Sequence, residues 1–408
     1  MSDADARPYR VACLVTHPIQ YQAPLFRLIA ADPGITLKVF FATDFSARHF
    51  VDPEFGTAIE WDVALLDGYD HEVLPALAGT RYPGDRYFDA WRPFSTGLRR
   101  RLRGGRFDAL WIHGYARLPH LWAMLVARSV GTRVLLRDET SALGRAPGGV
   151  KTAVKRTLFA AIDRLTDAYL TIGSMNEQHY RDLGIDAGKF HRMVYAVDND
   201  WFQARIADAR PHREALRAAL GLPPGRPVAL YAAKLIARKA PLDLVDAFAR
   251  AVAALPPQVR PILLMAGDGD LRPQVEAAIA ARGLSESIRL LGFQPQQKLA
   301  ALYDLCDVFV LPSAHETWGL VVNEVMNAGK AVIASDRVGA ARDLVRDGIN
   351  GFVYPLGDIE ALAGHLGEAF ADPQRLDAMG AESRRIVAGW GFAQNLSGLK
   401  AALAATVR

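Results

Sequence analysis

Cysteine and long apolar runs are scarce in this sequence. Its two cysteines, Cys13 and Cys306, lie in segments that we predict to be buried strands, so no disulfide framework is implied and a reducing cytoplasm is expected. No apolar run approaches the roughly 20 residues needed to span a membrane. The polar N-terminus, residues 1–7, is not followed by a signal peptide. We therefore expect a cytoplasmic protein.

Features of nucleic-acid-binding and dinucleotide-binding proteins are also missing. The net charge is only +4, and the sequence contains neither zinc-finger spacing nor a basic motif interleaved with stacking aromatics. The first predicted strand is not followed by Gly-x-Gly-x-x-Gly, which argues against a bound dinucleotide. No repeat of fixed period occurs, which argues against a solenoid.

The 408 residues, half of them apolar, are enough for two domains with separate cores. Short apolar segments alternate with amphipathic ones, a pattern typical of α/β proteins. Residues 43–107 are aromatic and interrupted by prolines, and they resist assignment. We predict strands at residues 9–15, 35–41, 109–113, 133–137, 168–172, 227–233, 261–266, 287–293, 306–312 and 331–334.

One segment, residues 311–335, reads as strand, loop, helix and strand, with the helix stopped by Gly329. The loop follows the carboxyl end of its strand, where open α/β sheets bind ligands. Glu316 precedes the helix and Glu324 lies inside it, while the N–H groups of residues 319–321 form an anion site between them. Because carboxylates bind diols, this layout suits a nucleoside diphosphate sugar. Alternatively, Glu316 is only a helix-end carboxylate and Glu324 a solvated residue.

The segment resembles the Glu-x7-Glu signature of retaining GT-B glycosyltransferases in glycosyltransferase family 4. Those enzymes show Pro-Ser, Glu-x-Phe-Gly, a second Glu in a helix, and Gly-x-Pro-Val-Ile-Ala-Ser. Here Trp318 replaces the phenylalanine and Ala331 the proline. Residues 338–353 resemble the family's Gly-Gly-x-x-Glu-Leu-Val and Asp-Gly-x-x-Gly, although Ala340 and Asp343 depart from it. These neighbours favour the family over the plain interpretation of the two glutamates.

The resemblance implies an α/β protein of the GT-B fold, with two Rossmann-like domains facing a cleft. Residues 1–202 would form the N-terminal acceptor-side domain and residues 203–385 the C-terminal nucleotide-sugar-binding domain. A C-terminal helix within residues 386–408 would return to the N-terminal domain. The charged, proline-containing residues 203–226 are expected to link the two domains.

Donor-side roles follow from the same resemblance. Lys234 and Lys239 fall on the family's two cationic positions, with lysine replacing arginine at Lys234 and Ala240 replacing the next glycine; they would hold the diphosphate. Glu324 would bind the ribose, and Glu316 the sugar hydroxyls. His113, at a strand end, resembles the family's histidine that contacts the sugar. Plain alternatives are surface charge for the lysines and a core position for His113. The other donor-binding residues would be Gly267, Gly292, Phe293, Trp318, Gly319, Leu320 and Val321.

The acceptor side would be formed by the loop after the first strand and by a second strand end. Candidates are His17, Gln20 and Tyr21 in the loop, and the carboxylates Asp138 and Glu139. Alternatively, His17 and its proline only shape the turn. Asp268 and Asp270 have the spacing of an Asp-x-Asp metal site, but their context resembles the family's metal-free Gly-x-Gly turn. No metal cofactor is therefore expected.

The implied function is transfer of a hexosyl group, with retention of configuration, from a nucleotide sugar to a glycan, lipid-linked or small-molecule acceptor. Cell-surface glycan or glycolipid synthesis is the expected setting. A GT-B epimerase or hydrolase, and a catalytically silent sugar-nucleotide-binding protein, stay open as alternatives. The basic residues 95–106 are either solvated or in electrostatic contact with anionic lipid headgroups or an anionic acceptor. Together with the amphipathic helix at 150–165, they could make weak contact with an anionic membrane. That contact would place the protein peripherally at the inner membrane face.

Overall fold

The computed structural model describes residues 7–47, 50–51, 58–59, 63–80, 90–143 and 149–407; for residues 50, 51, 58, 59 and 150–152 it describes the backbone only. This part of the chain forms two compact α/β units. The first contains the described residues up to Tyr195 together with those from Phe392 onward. The second runs from Ala196 to Gly391.

The first unit is built mainly on a parallel sheet. The strands described in this unit are β1 (Tyr9–Val15), β2 (Ile35–Phe41), β3 (Phe50–Val51), β4 (Ala58–Ile59), β5 (Asp70–Val73), β6 (Ala109–His113), β7 (Arg133–Arg137), β8 (Ala168–Thr171) and β9 (Phe190–Arg192). Apart from the antiparallel pair β3 and β4, they form one sheet in the order β5-β2-β1-β6-β7-β8-β9 within the described residues. Cys13 in β1 is fully buried beside Val39 and Trp111 on the neighbouring strands. Helices cover both faces of this sheet, so its central strands β1, β6, β7 and β8 are mostly apolar, whereas the edge strands β5 and β9 are mostly polar.

Five helices of the first unit follow its strands in sequence. They are α1 (Ala23–Ala31), α2 (Leu98–Gly105), α3 (Leu118–Ser129), α4 (Val150–Leu165) and α5 (Ser174–Asp182). Helices α2 to α5 pack on one face of the sheet, around Leu14 and Leu110. Helix α1 packs on the other face, around Val11 and Cys13.

The second unit repeats the same design with six strands. They are β10 (Val228–Ala232), β11 (Ile262–Ala266), β12 (Ile288–Gly292), β13 (Val308–Leu311), β14 (Ala331–Ser335) and β15 (Gly351–Tyr354). The sheet is parallel and has the order β12-β11-β10-β13-β14-β15. If the six strands are numbered 1 to 6 from β10 to β15, this is the Rossmann order 3-2-1-4-5-6. The direction in which successive strands are added reverses between β10 and β13. Ligands bind outside the carboxyl ends of the strands at such a reversal.

Nine helices complete the second unit within the described residues. They are α6 (Asn199–Ala209), α7 (Arg213–Ala219), α8 (Pro241–Ala254), α9 (Arg272–Ala281), α10 (Gln296–Leu305), α11 (Leu320–Asn327), α12 (Gly339–Leu344), α13 (Ile359–Ala371) and α14 (Pro373–Val387). None of the helices in the described ranges is both long enough and apolar enough to cross a bilayer.

The chain passes between units at different residues from those expected. A boundary after residue 202 falls inside α6, which Asp198 caps by accepting a hydrogen bond from the Trp201 N–H, and whose Phe202 and Ile206 are buried. A boundary after residue 385 falls inside α14. The helical C-terminal segment is interrupted at residues 388–391. The last helix, α15 (Phe392–Thr406), packs against β8 and β9 of the first unit.

Two local expectations are corrected. The expected linker at 203–226 is largely helical, because Arg213 in α7 donates to both carboxylate oxygens of Asp304 in α10 at 2.8 and 2.7 Å. Cys306 is buried as expected, but it lies between α10 and β13 rather than inside a strand.

Candidate active site

The carboxyl edge of the second sheet gathers the residues that the sequence assigned to the donor. Lys234 and Lys239 follow β10, Gly267 follows β11, Gly292 ends β12, and Glu316 follows β13. The hydrogen bond from the Ala314 N–H to the Arg238 carbonyl, 2.8 Å long, joins the loop after β13 to the loop after β10. Residues far apart in sequence therefore meet at the strand reversal between β10 and β13.

A cation and a carboxylate are paired at this edge. The Lys239 ammonium contacts Oε1 of Glu316, and the buried Ser313 hydroxyl donates to the same oxygen at 3.1 Å. Only 15% of the Lys239 side chain and 11% of the Glu316 side chain are exposed. The pair is thus well shielded from water. In such a shielded place charge–charge interactions are stronger than at an open surface.

Helix α11 starts beside this pair. Gly319 precedes its first residue with φ +97°, and an added Cβ would lie 3.2 Å from Val338 and 3.3 Å from Leu311. Glycine is therefore required at this position, both for the left-handed backbone and for space. The N–H groups of Leu320 and Val321 belong to the first helical turn, which has no intrahelical acceptors for them. They can donate to an anion such as a phosphate.

Glu324 and Trp318 are held inside the second unit. Glu324, 2% exposed, accepts a hydrogen bond of 2.6 Å from the Tyr303 hydroxyl of α10. The Trp318 indole N–H donates to Asn323 at 2.8 Å, and its ring stacks on Trp390 with 5.2 Å between centroids. The ring of Trp318 is therefore buried against α11 and cannot contact the donor. Only the backbone of Trp318 could make the expected donor contact.

A glycine turn after β11 supports the lysine loop. Gly267 has φ +145°, and an added Cβ would overlap the carbonyl of Ala233, next to Lys234. Asp268 accepts hydrogen bonds from Arg272 at 3.0 Å and from the Gly269 N–H at 2.8 Å, so its carboxylate is engaged within the turn. No cluster of three or more His, Cys, Asp or Glu side chains that could hold a metal occurs in the described part of the chain. Phe293, just after Gly292 of β12, is 39% exposed.

In the first unit, His113 ends β6 between two polar side chains. Gln22 lies with Nε2 at 3.0 Å from His113 Nδ1, and Glu139 lies with Oε1 at 3.5 Å from His113 Nε2. The Tyr195 hydroxyl donates to Glu139 at 2.5 Å. Burial would raise the pKa of Glu139, but His113, Tyr195 and Arg137 outweigh it, and the pKa lies below the usual value. His113 is thus part of a polar network at the sheet edge and not a core histidine.

The remaining acceptor-side candidates differ in accessibility. His17, Gln20 and Tyr21 lie together in the half-buried loop after β1. Burial, with the charges of Arg117 and His113, lowers the pKa of His17 to about 4, so this ring is neutral at physiological pH. Asp138 is buried, accepts from the Tyr180 hydroxyl and the Thr140 N–H, and has a raised pKa because of burial. These contacts argue for a structural role for Asp138 in place of the expected acceptor contact.

Sequence reasoning did not single out four residues that hold the site. Ser313 belongs to the Pro-Ser of the motif, and its proximity to Glu316 was a signal that could have been used. Gln22, Tyr195 and Tyr303 gave no local signal, because each meets its partner across 21 to 91 residues of chain.

Comparisons with known proteins identify the family of the chain. The family model described as "Glycosyl transferases group 1" matches residues 212–386. The chain is 33% identical over 216 residues to D-inositol 3-phosphate glycosyltransferase of Nocardia farcinica, covering 50% of this chain and 48% of that protein. It is 30% identical over 221 residues to alpha-D-kanosaminyltransferase of Streptomyces kanamyceticus, covering 54% and 53%. These matches span about half the length of those relatives.

A longer match and two solved structures extend the similarity. The chain is 33% identical over 362 residues to D-inositol 3-phosphate glycosyltransferase of Streptomyces griseus, covering 83% of this chain and 71% of that protein. The structure of a glycosyltransferase from Rickettsia africae superposes with TM-score 0.73 at 16% identity, covering 98% and 99%. Anabaena Alr3699/HepE in complex with UDP superposes with TM-score 0.71 at 18% identity, covering 97% and 99%. These structures confirm the predicted GT-B fold class. By its long match and its family model, the chain belongs to the glycosyl transferases group 1 family.

Proposed function

We propose that this protein is a retaining glycosyltransferase that moves a hexosyl group from a nucleotide sugar to an acceptor hydroxyl. The observation that carries the proposal is the meeting of Lys239, Glu316 and the start of α11 at one sheet edge. A cation, a carboxylate and free helix N–H groups are what a diphosphate joined to a sugar needs. Family membership, and relatives named for transfer to D-inositol 3-phosphate, support it.

The donor would bind along the carboxyl edge of the second sheet. The diphosphate would accept hydrogen bonds from the N–H groups of Leu320 and Val321 and form ion pairs with the ammonium groups of Lys234 and Lys239. Glu324, oriented by Tyr303, would accept from the ribose hydroxyls, and Glu316 would accept from the sugar hydroxyls. Solved structures of the Anabaena neighbour hold UDP and UDP-glucose, which supports a nucleotide sugar as the donor here.

The chemistry would be a same-face displacement. The bond between the anomeric carbon and the diphosphate oxygen breaks, the acceptor oxygen bonds to that carbon, and its proton passes to the departing diphosphate. The lysines and the helix N–H groups stabilise the negative charge that develops on the leaving group. Positioning of the two substrates supplies the rest of the rate enhancement. His113 would contact the sugar, as the family resemblance implies, and no metal ion would be required.

Cell-surface glycan or glycolipid synthesis is the setting we propose, with the protein cytoplasmic and peripheral at the inner membrane face. On α3, the side chains of Leu118, Trp122 and Leu125 are 37%, 50% and 50% exposed and share one helical face. The neighbouring α2 exposes Arg99, Arg100 and Arg103. Arginines beside an apolar row suit an anionic lipid surface. Arg101, expected among the exposed charges, instead pairs with Glu72 at 2.5 Å.

The experiment that tests the function is a transfer assay with UDP-, GDP- and ADP-sugars, each with and without candidate acceptors. Glycan, lipid-linked and polyol acceptors would be offered in turn. Transfer to an acceptor supports the proposal. Epimerised or hydrolysed sugar from donor alone would favour the epimerase or hydrolase. Binding without turnover under every condition would favour a silent binding protein.

A further inference from the structure

Lys239 and Glu316 are each other's partner in this structure, yet the proposed function gives them different ligands. Lys239 would neutralise the diphosphate, and Glu316 would accept hydrogen bonds from the sugar. In the structure the Lys239 ammonium instead contacts Oε1 of Glu316, to which Ser313 also donates at 3.1 Å. Binding of the diphosphate therefore competes with the ion pair for Lys239.

We propose that this ion pair makes the site select the complete nucleotide sugar over the nucleoside diphosphate product; the inference rests on the proposed function. When a diphosphate pairs with the Lys239 ammonium, the Glu316 carboxylate loses its cationic partner, although only 11% of the Glu316 side chain is exposed to solvent. A shielded carboxylate that keeps only the Ser313 hydroxyl as a donor is less well compensated, which is unfavourable. Sugar hydroxyls restore that compensation by donating to Glu316, which the product, lacking the sugar, does not do. After transfer Lys239 returns to Glu316, and the product is released.

The surrounding backbone favours an exchange of side-chain partners over a movement of the loops. The Ala314 N–H donates to the Arg238 carbonyl at 2.8 Å, which ties the Glu316 loop to the Lys239 loop. The Glu316 N–H donates to the Arg337 carbonyl at 3.0 Å, which ties it to the segment after β14. Because these hydrogen bonds hold the two loops together, the side chains of Lys239 and Glu316 stay within reach of each other, and Lys239 can exchange between Glu316 and a bound diphosphate.

Removing the charge of Glu316 is expected to strengthen nucleotide binding. Glu316→Gln keeps the shape of the side chain and removes the charge that competes for Lys239. Calorimetry with UDP, GDP and ADP is expected to show tighter binding of whichever nucleotide binds the wild type, by about threefold or more. In a Lys239→Ala background the same substitution is expected to have no such effect, since no ammonium remains to be released.

Two matched variants separate this coupling from a general change of charge. Asp268→Asn removes a carboxylate at the same sheet edge, one that pairs with Arg272 and not with Lys239, and is expected to leave the affinity nearly unchanged. Ser313→Ala removes the hydroxyl that shares Glu316, which leaves the carboxylate more dependent on Lys239. It is expected to weaken nucleotide binding, opposite to Glu316→Gln, and it tests the inference even if Glu316→Gln does not fold.

The ratio of affinities for donor and product is the second readout. The wild type is expected to bind the nucleotide sugar more tightly than its nucleoside diphosphate, and Glu316→Gln is expected to bring the two affinities together. Unchanged or weaker diphosphate binding by Glu316→Gln, or equal tightening in the Lys239→Ala background, would overturn the inference. If the wild type transfers sugar but shows no coupling, only this inference fails. If the wild type binds none of these nucleotides and transfers nothing, the proposed function fails with it.

Discussion

Tyr303 and Glu324 are joined by a hydrogen bond of 2.6 Å between the buried faces of α10 and α11. The tyrosine hydroxyl donates to Oε2 of the glutamate and fixes the direction of its carboxylate. In the proposed donor complex that carboxylate binds the ribose, so Tyr303 would act through Glu324 as a positioning residue.

Tyr303→Phe is expected to weaken binding of the nucleoside diphosphate by about fivefold, because a hydrogen bond of this kind contributes about 1 kcal/mol. Calorimetry on the ribonucleotide and on its 2′-deoxy form is the measurement. The wild type should prefer the ribonucleotide, and the variant should lose part of that preference. Tyr169→Phe is the control, since it removes an equivalent hydroxyl, bonded to Asp163, from the first unit. An unaltered preference in Tyr303→Phe would refute the positioning role.

Ala240 has the left-handed backbone, with φ +46° and ψ 48°, immediately before α8. The left-handed conformation costs a residue with a side chain roughly 1–2 kcal/mol in conformational energy, and it does not cost glycine this energy. Part of that gain is offset by the greater freedom of glycine in the unfolded chain. Ala240→Gly is therefore expected to raise the free energy of unfolding by about 0.5–1 kcal/mol in urea titrations. Ala253→Gly, at an exposed position within α8, should lower it; a loss of stability in both would contradict the strain.

Asp304 is buried between Arg210 and Arg213, and it anchors α7. Burial alone would raise its pKa, but the hydrogen bonds from Arg213 and Arg210 and the charges of Arg213 and Lys330 outweigh burial, and the pKa lies below the ordinary value. The native state thus prefers the ionised form, and the stabilisation is present above the unfolded-state pKa and lost as the pH falls through the folded-state pKa.

Asp304→Asn is accordingly expected to destabilise the protein at neutral pH by about 1–3 kcal/mol. Urea unfolding at pH 7 and at about pH 2.5, below the ordinary aspartate pKa of about 3.9, measures the effect, which should shrink at the lower pH. Glu214→Gln, which removes an exposed carboxylate in α7, serves as the control and should have little effect. A loss of equal size at both pH values would show that the ionised form of Asp304 is not what stabilises α7.

Association with anionic membranes is expected to be weak and sensitive to salt. Each basic residue near such a surface contributes about 1 kcal/mol, and exposed tryptophan adds apolar contact. Flotation with anionic vesicles at low salt should recover the wild type, whereas Trp122→Ala or the charge reversal of Arg99, Arg100 and Arg103 should reduce recovery. Charge reversal of Arg205, an exposed arginine in the second unit, is the control. If the wild type did not float with the vesicles, these residues would be a solvated surface and the membrane contact would be refuted.

Much of the fold could be predicted because buried parallel strands and amphipathic helices leave local patterns. Strands β1, β2, β6 and β7 and helix α4 have the bounds that the sequence indicated. The helices at 203–219 were missed because a partner 91 residues away, Asp304, stabilises them. Charge and proline in that segment otherwise favour a linker.

The site was predictable where its chemistry is local. Glu316 and the start of α11 lie within one motif, and Lys239 follows a recognisable strand. The sequence placed Trp318 with the ligand, but a ring partner, Trp390, 72 residues away turns it inward. The pairing of Lys239 with Glu316 across 77 residues also lies beyond what local pattern shows, and it becomes visible only in the folded unit.

The most direct test of the central claim is the anomeric configuration of the transfer product, measured by NMR during turnover of a nucleotide sugar with an acceptor in the presence of EDTA. We predict transfer without added metal, with the configuration of the donor retained, and a large loss of turnover in Glu316→Gln. Inverted configuration, or turnover that appears only when magnesium or manganese is restored, would contradict it.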